Sequence, residues 1–175
     1  MPASDEASVG RGKPRPTGPY DGGVWTCPSC GRRFANPNQS HTCGPLGDLD
    51  RHFEGKDAAV RETFERVLEV VRRLGPVIVL PEKTRIALQV RMSFAALMPK
   101  RRWLDGHVVL ARRLDSPRFR RIDTYSPRNV LHVFRLGSPD AVDGEVAAWF
   151  AEAYAVGEQR HLGAWRAQRA PRVNR

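Results

Sequence analysis

The stretch KTRIALQVRM, residues 83–92, alternates in character: Thr84, Ile86, Leu88 and Val90 fall on one side, and Lys83, Arg85, Gln89 and Arg91 on the other. Successive side chains of a strand point to opposite faces, so this period of two predicts a half-buried strand with a basic outer face. Working outward, Val77–Leu80, Phe94–Met98, Leu104–Ala111, Phe119–Tyr125 and Val130–Leu136 read as further strands. The turn signals Pro99-Lys-Arg-Arg, Asp115-Ser-Pro and Ser126-Pro-Arg-Asn separate them. Strands spaced this closely are joined by hairpins, which makes the sheet mainly antiparallel.

Helical spacing brackets the strands. Val60, Phe64, Val67, Leu68, Val71 and Leu74 recur at three- and four-residue intervals between Asp57, a capping residue type, and the Gly75-Pro76 stop. After the strands, Ser138-Pro139-Asp140 reads as a helix start. Val142, Val146, Trp149, Ala153 and Val156 then form the apolar stripe, and Gly157 ends it. The expected fold class is α+β: an antiparallel sheet of five or six strands with the N- and C-terminal helices on one face, plus a small N-terminal zinc module.

That module is WTCPSCGRRFANPNQSHTCG, residues 25–44. Cys27-x2-Cys30, ten residues, then His41-x-Cys43 supplies two ligand pairs, enough to close a tetrahedron around one structural Zn2+. Gly31 permits the tight turn, and Phe34 stands where small fingers place their core aromatic. The chain has three cysteines, so they cannot all pair as disulfides, and all fall inside this stretch. With four protein ligands no position remains for a catalytic water. The competing readings are reduced loop cysteines or a redox CxxC, and the latter lacks a surrounding βαβ pattern.

The resulting division of the chain is a structureless N-terminal tail (1–23), the zinc module (24–48), the α+β domain (49–157) and a basic tail (158–175) in which Leu162 and Trp165 could dock a short turn. No apolar run reaches the roughly 18 residues of a membrane span, and no secretory signal is evident. A cytoplasmic protein with reduced thiols and no membrane partner is expected.

The net charge of +10 is concentrated. Residues 83–135 hold thirteen Lys or Arg against three Asp or Glu. Lys83, Arg85, Arg91, Arg101, Arg102, Arg121 and Arg128 are the candidate anion-binding residues, with DNA or RNA the expected partner. Trp103, Phe119 and Tyr125 lie among them, and aromatics beside arginine are what stacking surfaces use. The plain alternative is a solvated strand face, with Arg favoured over Lys by genome composition.

The segments HFEGK, KTRIALQVRMSFAAL, LDGHVVLARRL, PRFRRIDTYSPRN with VLHVFRL, and SPDAVDGEVAAWFAEAYAVG resemble a family of bacterial domains of unknown function. The cysteine segment is similar to one that precedes that domain in some members. The resemblance covers residues 24–157 and implies a small α+β fold in intracellular bacterial proteins. It implies no activity and no catalytic residues.

The sequence offers no other route to a reaction. A glycine-rich phosphate loop, a GxSxG elbow, HExxH and a dinucleotide fingerprint are all missing. Glu82-Lys83 lacks the spacing and the second carboxylate of a metal-dependent nuclease. Two alternatives to nucleic-acid binding stand: a small-molecule pocket or enzyme site near His107 and His132, joined by Tyr125 and Asp105, or a protein-interaction module with apolar groups exposed around Trp25 and Phe34. Oligomeric state is not readable at this level.

Overall fold

The computed structural model describes residues 20–21, 24–34, 43 and 46–161. The chain divides into two compact units, residues 1–42 and 43–175.

In the first unit β1 (Tyr20–Asp21), β2 (Val24–Thr26) and β3 (Arg33–Phe34) form a small antiparallel sheet. Within residues 1–23, the segment expected to be structureless, Tyr20 pairs with Trp25 and Asp21 with Val24. The rest of residues 1–19 lies outside the described residues, as do residues 162–175 of the expected basic tail.

The second unit opens with a 3-10 turn (Asp50–Phe53) and then α1 (Ala58–Arg72). Asp57 occupies the cap position of α1 as expected, but its side chain makes no capping bond. Six strands follow: β4 (Ile78–Pro81), β5 (Ile86–Gln89), β6 (Ser93–Pro99), β7 (Leu104–Leu110), β8 (Phe119–Ser126) and β9 (Asn129–Leu136). All pair antiparallel, so the α+β class with a six-stranded sheet and two helices is what the chain adopts. The last helix starts later than the sequence suggests. Ser138-Pro139 opens only a 3-10 turn (Pro139–Ala141), and α2 runs Gly144–Gly157. Its cap is Asp143, whose carboxylate accepts from the Val146 N–H at 3.0 Å.

The sheet order is β4-β5-β6-β7-β9-β8. Sequence order fails at one place: β9 inserts between β7 and β8. The link 111–118 must therefore cross β9 to reach the edge. His132 on β9 receives it. The Leu114 N–H donates to His132 Nε2 at 3.0 Å, which leaves Nδ1 to carry the proton and donate to the Val130 carbonyl at 3.0 Å. The ring is fully buried, and its pKa is lowered, chiefly by desolvation, with neighbouring groups pulling both ways. A neutral imidazole with both nitrogens used is a structural pin.

One face of the sheet carries the core. Ile86, Leu88, Leu97, Leu104, Val108, Leu110, Phe134 and Leu136 pack against Phe64, Val67 and Val71 of α1 and Val146, Trp149, Phe150 and Ala153 of α2. Full burial of each large side chain contributes about 1.5–3 kcal/mol relative to exposure. Two glycines permit close approach. A Cβ on Gly106 would lie 2.7 Å from the Phe134 ring and 2.9 Å from Leu97. One on Gly157 would lie 2.8 Å from both Phe94 and Val90, where the end of α2 meets the β5–β6 turn and the Gly157 carbonyl accepts from the Met92 N–H. The opposite face holds the small cluster Leu80, Ala87 and Ala96.

Candidate metal centre and cationic sheet end

The turn Cys27-Pro-Ser-Cys30-Gly31 folds as a knuckle. The Gly31 N–H donates to the Cys27 carbonyl, and the Cys27 N–H donates to the Arg32 carbonyl, both at 2.8 Å. Gly31 has φ +69°, a conformation that glycine adopts without a Cβ clash. Trp25 and Phe34 face one another across β2–β3 with ring centroids 6.0 Å apart, and pack with Cys27. Each is 5% exposed.

Cys27, Cys30 and Cys43 present sulfurs that all lie within 4.8 Å of one another. Thiolates sharing one zinc at about 2.3 Å in a tetrahedron stand about 3.8 Å apart, so the spread is compatible with a common ion. Soft sulfur donors favour zinc and similar thiophilic metals over calcium or magnesium. Of the four expected ligands three are thus gathered, and His41 lies outside the described residues.

The arginines of the second unit divide by partner. Arg118 pairs with Asp143 at 2.8 Å and Glu145 at 3.0 Å, and stacks over Trp149. Arg112 pairs with Glu152, Arg113 with Asp115 and Arg135 with Asp105. Among the expected anion-binding residues, Arg85 holds Glu82 at 2.6 Å and Arg121 holds Asp123 at 2.7 Å. Lys83, Arg101 and Arg102, with Lys100, are exposed and form no ion pair among the described residues, although the Lys100 charge reaches Asp105.

Topology sorts these residues by place. Pro81 pairs with Ile86, Ile86 with Leu97, and Pro99 with Leu104. The β4–β5 turn with Lys83 and Arg85, and the β6–β7 turn with Lys100, Arg101 and Arg102, therefore project from the same end of the sheet. They are separated by two strand spacings, about 10 Å. Arg91 and Arg128 sit in turns at the opposite end, and Arg121 lies on the edge strand β8. Rather than one basic face, the structure shows a cationic end with the other candidates distributed elsewhere. Beside that end, the Arg135 guanidinium lies 4.1 Å over the Trp103 ring and hydrogen-bonds Asp105. Burial raises the Asp105 pKa, but the Arg135 hydrogen bond and the charges of Arg135 and Lys100 outweigh it and keep this group below its ordinary range.

His107 and His132 are not brought together. His107 pairs with Ala96 and Val133, while His132 pairs with Val108. Adjacent positions in register face opposite sides of a sheet, so His132 enters the helix-covered core and His107 the other face. Desolvation first, then the charges of Arg85 and Arg121, lower the His107 pKa to about 4. Tyr125 is 72% exposed at the far end of β8. Sequence reasoning passed over Asp143, Gly106 and Lys100 as separate features, although Lys100 stood within the quoted turn.

An antiparallel α+β domain with exposed lysines and arginines at one end of its sheet, in a chain that also gathers three cysteines, defines the class of protein. The chain belongs to the family described as Domain of unknown function (DUF5655), which matches residues 49–157. The cysteine segment lies outside the matched range. No curated protein and no solved structure matches the chain. Among the described residues, no helix is long and apolar enough to cross a membrane.

Proposed function

We propose that this DUF5655 domain binds nucleic acid, DNA or RNA, through phosphate contacts at the end of the sheet formed by the β4–β5 and β6–β7 turns. The observation that carries the reading is the convergence of Lys83, Lys100, Arg101 and Arg102 at one end of the sheet with no ion pair among the described residues, while Arg85, Arg112, Arg118, Arg121 and Arg135 of the same sheet region are each paired with a carboxylate. Unneutralised cations attract polyanions because binding releases condensed counterions. The Trp103–Arg135 stack supports the same reading, since flat aromatic and guanidinium groups are the usual platforms for unstacked bases. Fluorescence anisotropy with labelled duplex DNA and single-stranded RNA tests it. Binding to neither at low salt, or binding that survives Lys100→Glu with Arg101→Glu unchanged, refutes it.

On the same reading Cys27, Cys30, Cys43 and His41 hold one structural Zn2+. Its service is to fasten a segment too small to fold on hydrophobic burial alone. Thiolates kept reduced for metal suit the cytoplasm.

A further inference from the structure

β8 is an edge strand of eight residues, and among the described residues no strand pairs with its outer side. The opposite edge, β4, has four residues, and its Pro81 carbonyl accepts from the Gly47 N–H. A long open edge is a template for pairing, and folded proteins normally block one with like charges, bulges or a covering element. β8 is bulged on both sides, between Phe119 and Arg121 and between Thr124 and Ser126, which leaves Arg121-Ile122-Asp123-Thr124 as its regular part. The charges inside that part are one of each sign. Arg121 and Asp123 share a face and already touch at 2.7 Å.

Independently of the nucleic-acid reading, we propose that two copies of this chain associate by antiparallel pairing of their β8 edges, with a two-fold axis at Ile122. In that register Arg121 of each copy stands opposite Asp123 of the other, and the two sheets continue as one. The strand is complementary to itself only there. A slip of two residues, the smallest that keeps every side chain on its own face, sets Arg121 against Arg121 in one direction and Asp123 against Asp123 in the other. The bulges therefore limit the ladder to a few residues while the charges choose its register. A ladder this short makes the association reversible and concentration-dependent.

Sedimentation of the full chain over a wide concentration range tests this. The unaltered protein is expected to pass from monomer to dimer. Arg121→Asp and Asp123→Arg each replace two symmetry-related attractions by two repulsions, and should weaken dimerisation by about ten-fold. The doubly exchanged chain, R121D with D123R, restores the pairing. A mixture of the two single variants should form a heterodimer, because each then meets its opposite at both positions. Circular dichroism of each variant checks that the monomer is folded. A chain that stays monomeric throughout overturns the proposal, as does a dimer indifferent to both single exchanges. A monomer whose β8 amides are protected only when an acidic peptide is added would assign the edge to a different occupant and equally overturn it.

Discussion

The salt dependence of nucleic-acid binding can be worked out from the sheet end itself. Each phosphate neutralised on a duplex contributes about −0.9 to the slope of log affinity against log salt. Lys83, Lys100, Arg101 and Arg102 are the cations at that end without an ion pair, so four contacts give a slope of about −3.6. Raising salt from about 50 to 200 mM should then weaken duplex binding about 150-fold, or about 50-fold for a single strand at −0.7 per contact. Replacing Arg101 and Arg102 by alanine halves the slope and reduces the duplex loss to about 12-fold. Replacing Arg128, at the opposite end of the sheet, should leave the slope unaltered. The assay is an anisotropy titration of one labelled oligonucleotide at several salt concentrations. A slope near zero, or one that falls equally with Arg128→Ala, refutes the assignment of phosphate contacts to this end.

Other perturbations reach different parts of the molecule. Metal analysis of purified protein should find one zinc per chain, and cobalt substitution should give thiolate absorption that disappears with Cys30→Ser; a metal-free, fully folded first unit would count against the site. Because the folded pKa of His107 is about 4 against an ordinary 6.5, the unfolded chain takes up a proton that the folded chain refuses. Stability should therefore fall as pH drops below about 6.5 and level off below about 4, by at most about 3 kcal/mol. Denaturant midpoints across that range check this, and His107→Phe should flatten the curve. His132→Ala leaves the part-buried Leu114 N–H without its acceptor and opens space beside Phe119, a loss of about 2–4 kcal/mol that thermal unfolding would measure.

Most of the elements were legible because their signals were periodic. The helical stripe from Val60 to Val71 encodes one buried face, and the structure buries it; the alternation around Ile86 and Leu88 marks a core face too, but the strand expected to be half-buried with a basic outer face is buried on both sides, Ala87 and Gln89 included. The start of α2 was displaced by a local competition. Ser138-Pro139 satisfies the rules for a helix start, yet the turn it opens ends at Ala141, and Asp143 caps the true helix. Strand order was not legible, since nothing in a hairpin sequence states whether β7 pairs with the next strand or the one after. That exchange turned His132 into an anchor for the 111–118 link, whereas the alternation along β7 itself places His107 on the other face. Charge was legible as a total but not as a distribution, because ion pairing across forty residues, as between Arg112 and Glu152, depends on the finished sheet.

The insertion of β9 also bears on how the domain comes together. β7 finds its second neighbour only in residues 129–136, so a chain released before Leu136 leaves a bare seam in the middle of its sheet. The β8–β9 hairpin closes locally, whereas its pairs with β7 join residues 20 apart at the near end, Leu110 with Val130, and 32 apart at the far end, Leu104 with Leu136. Until residues 129–136 are joined to the chain, β7 therefore has one edge without its partner strand.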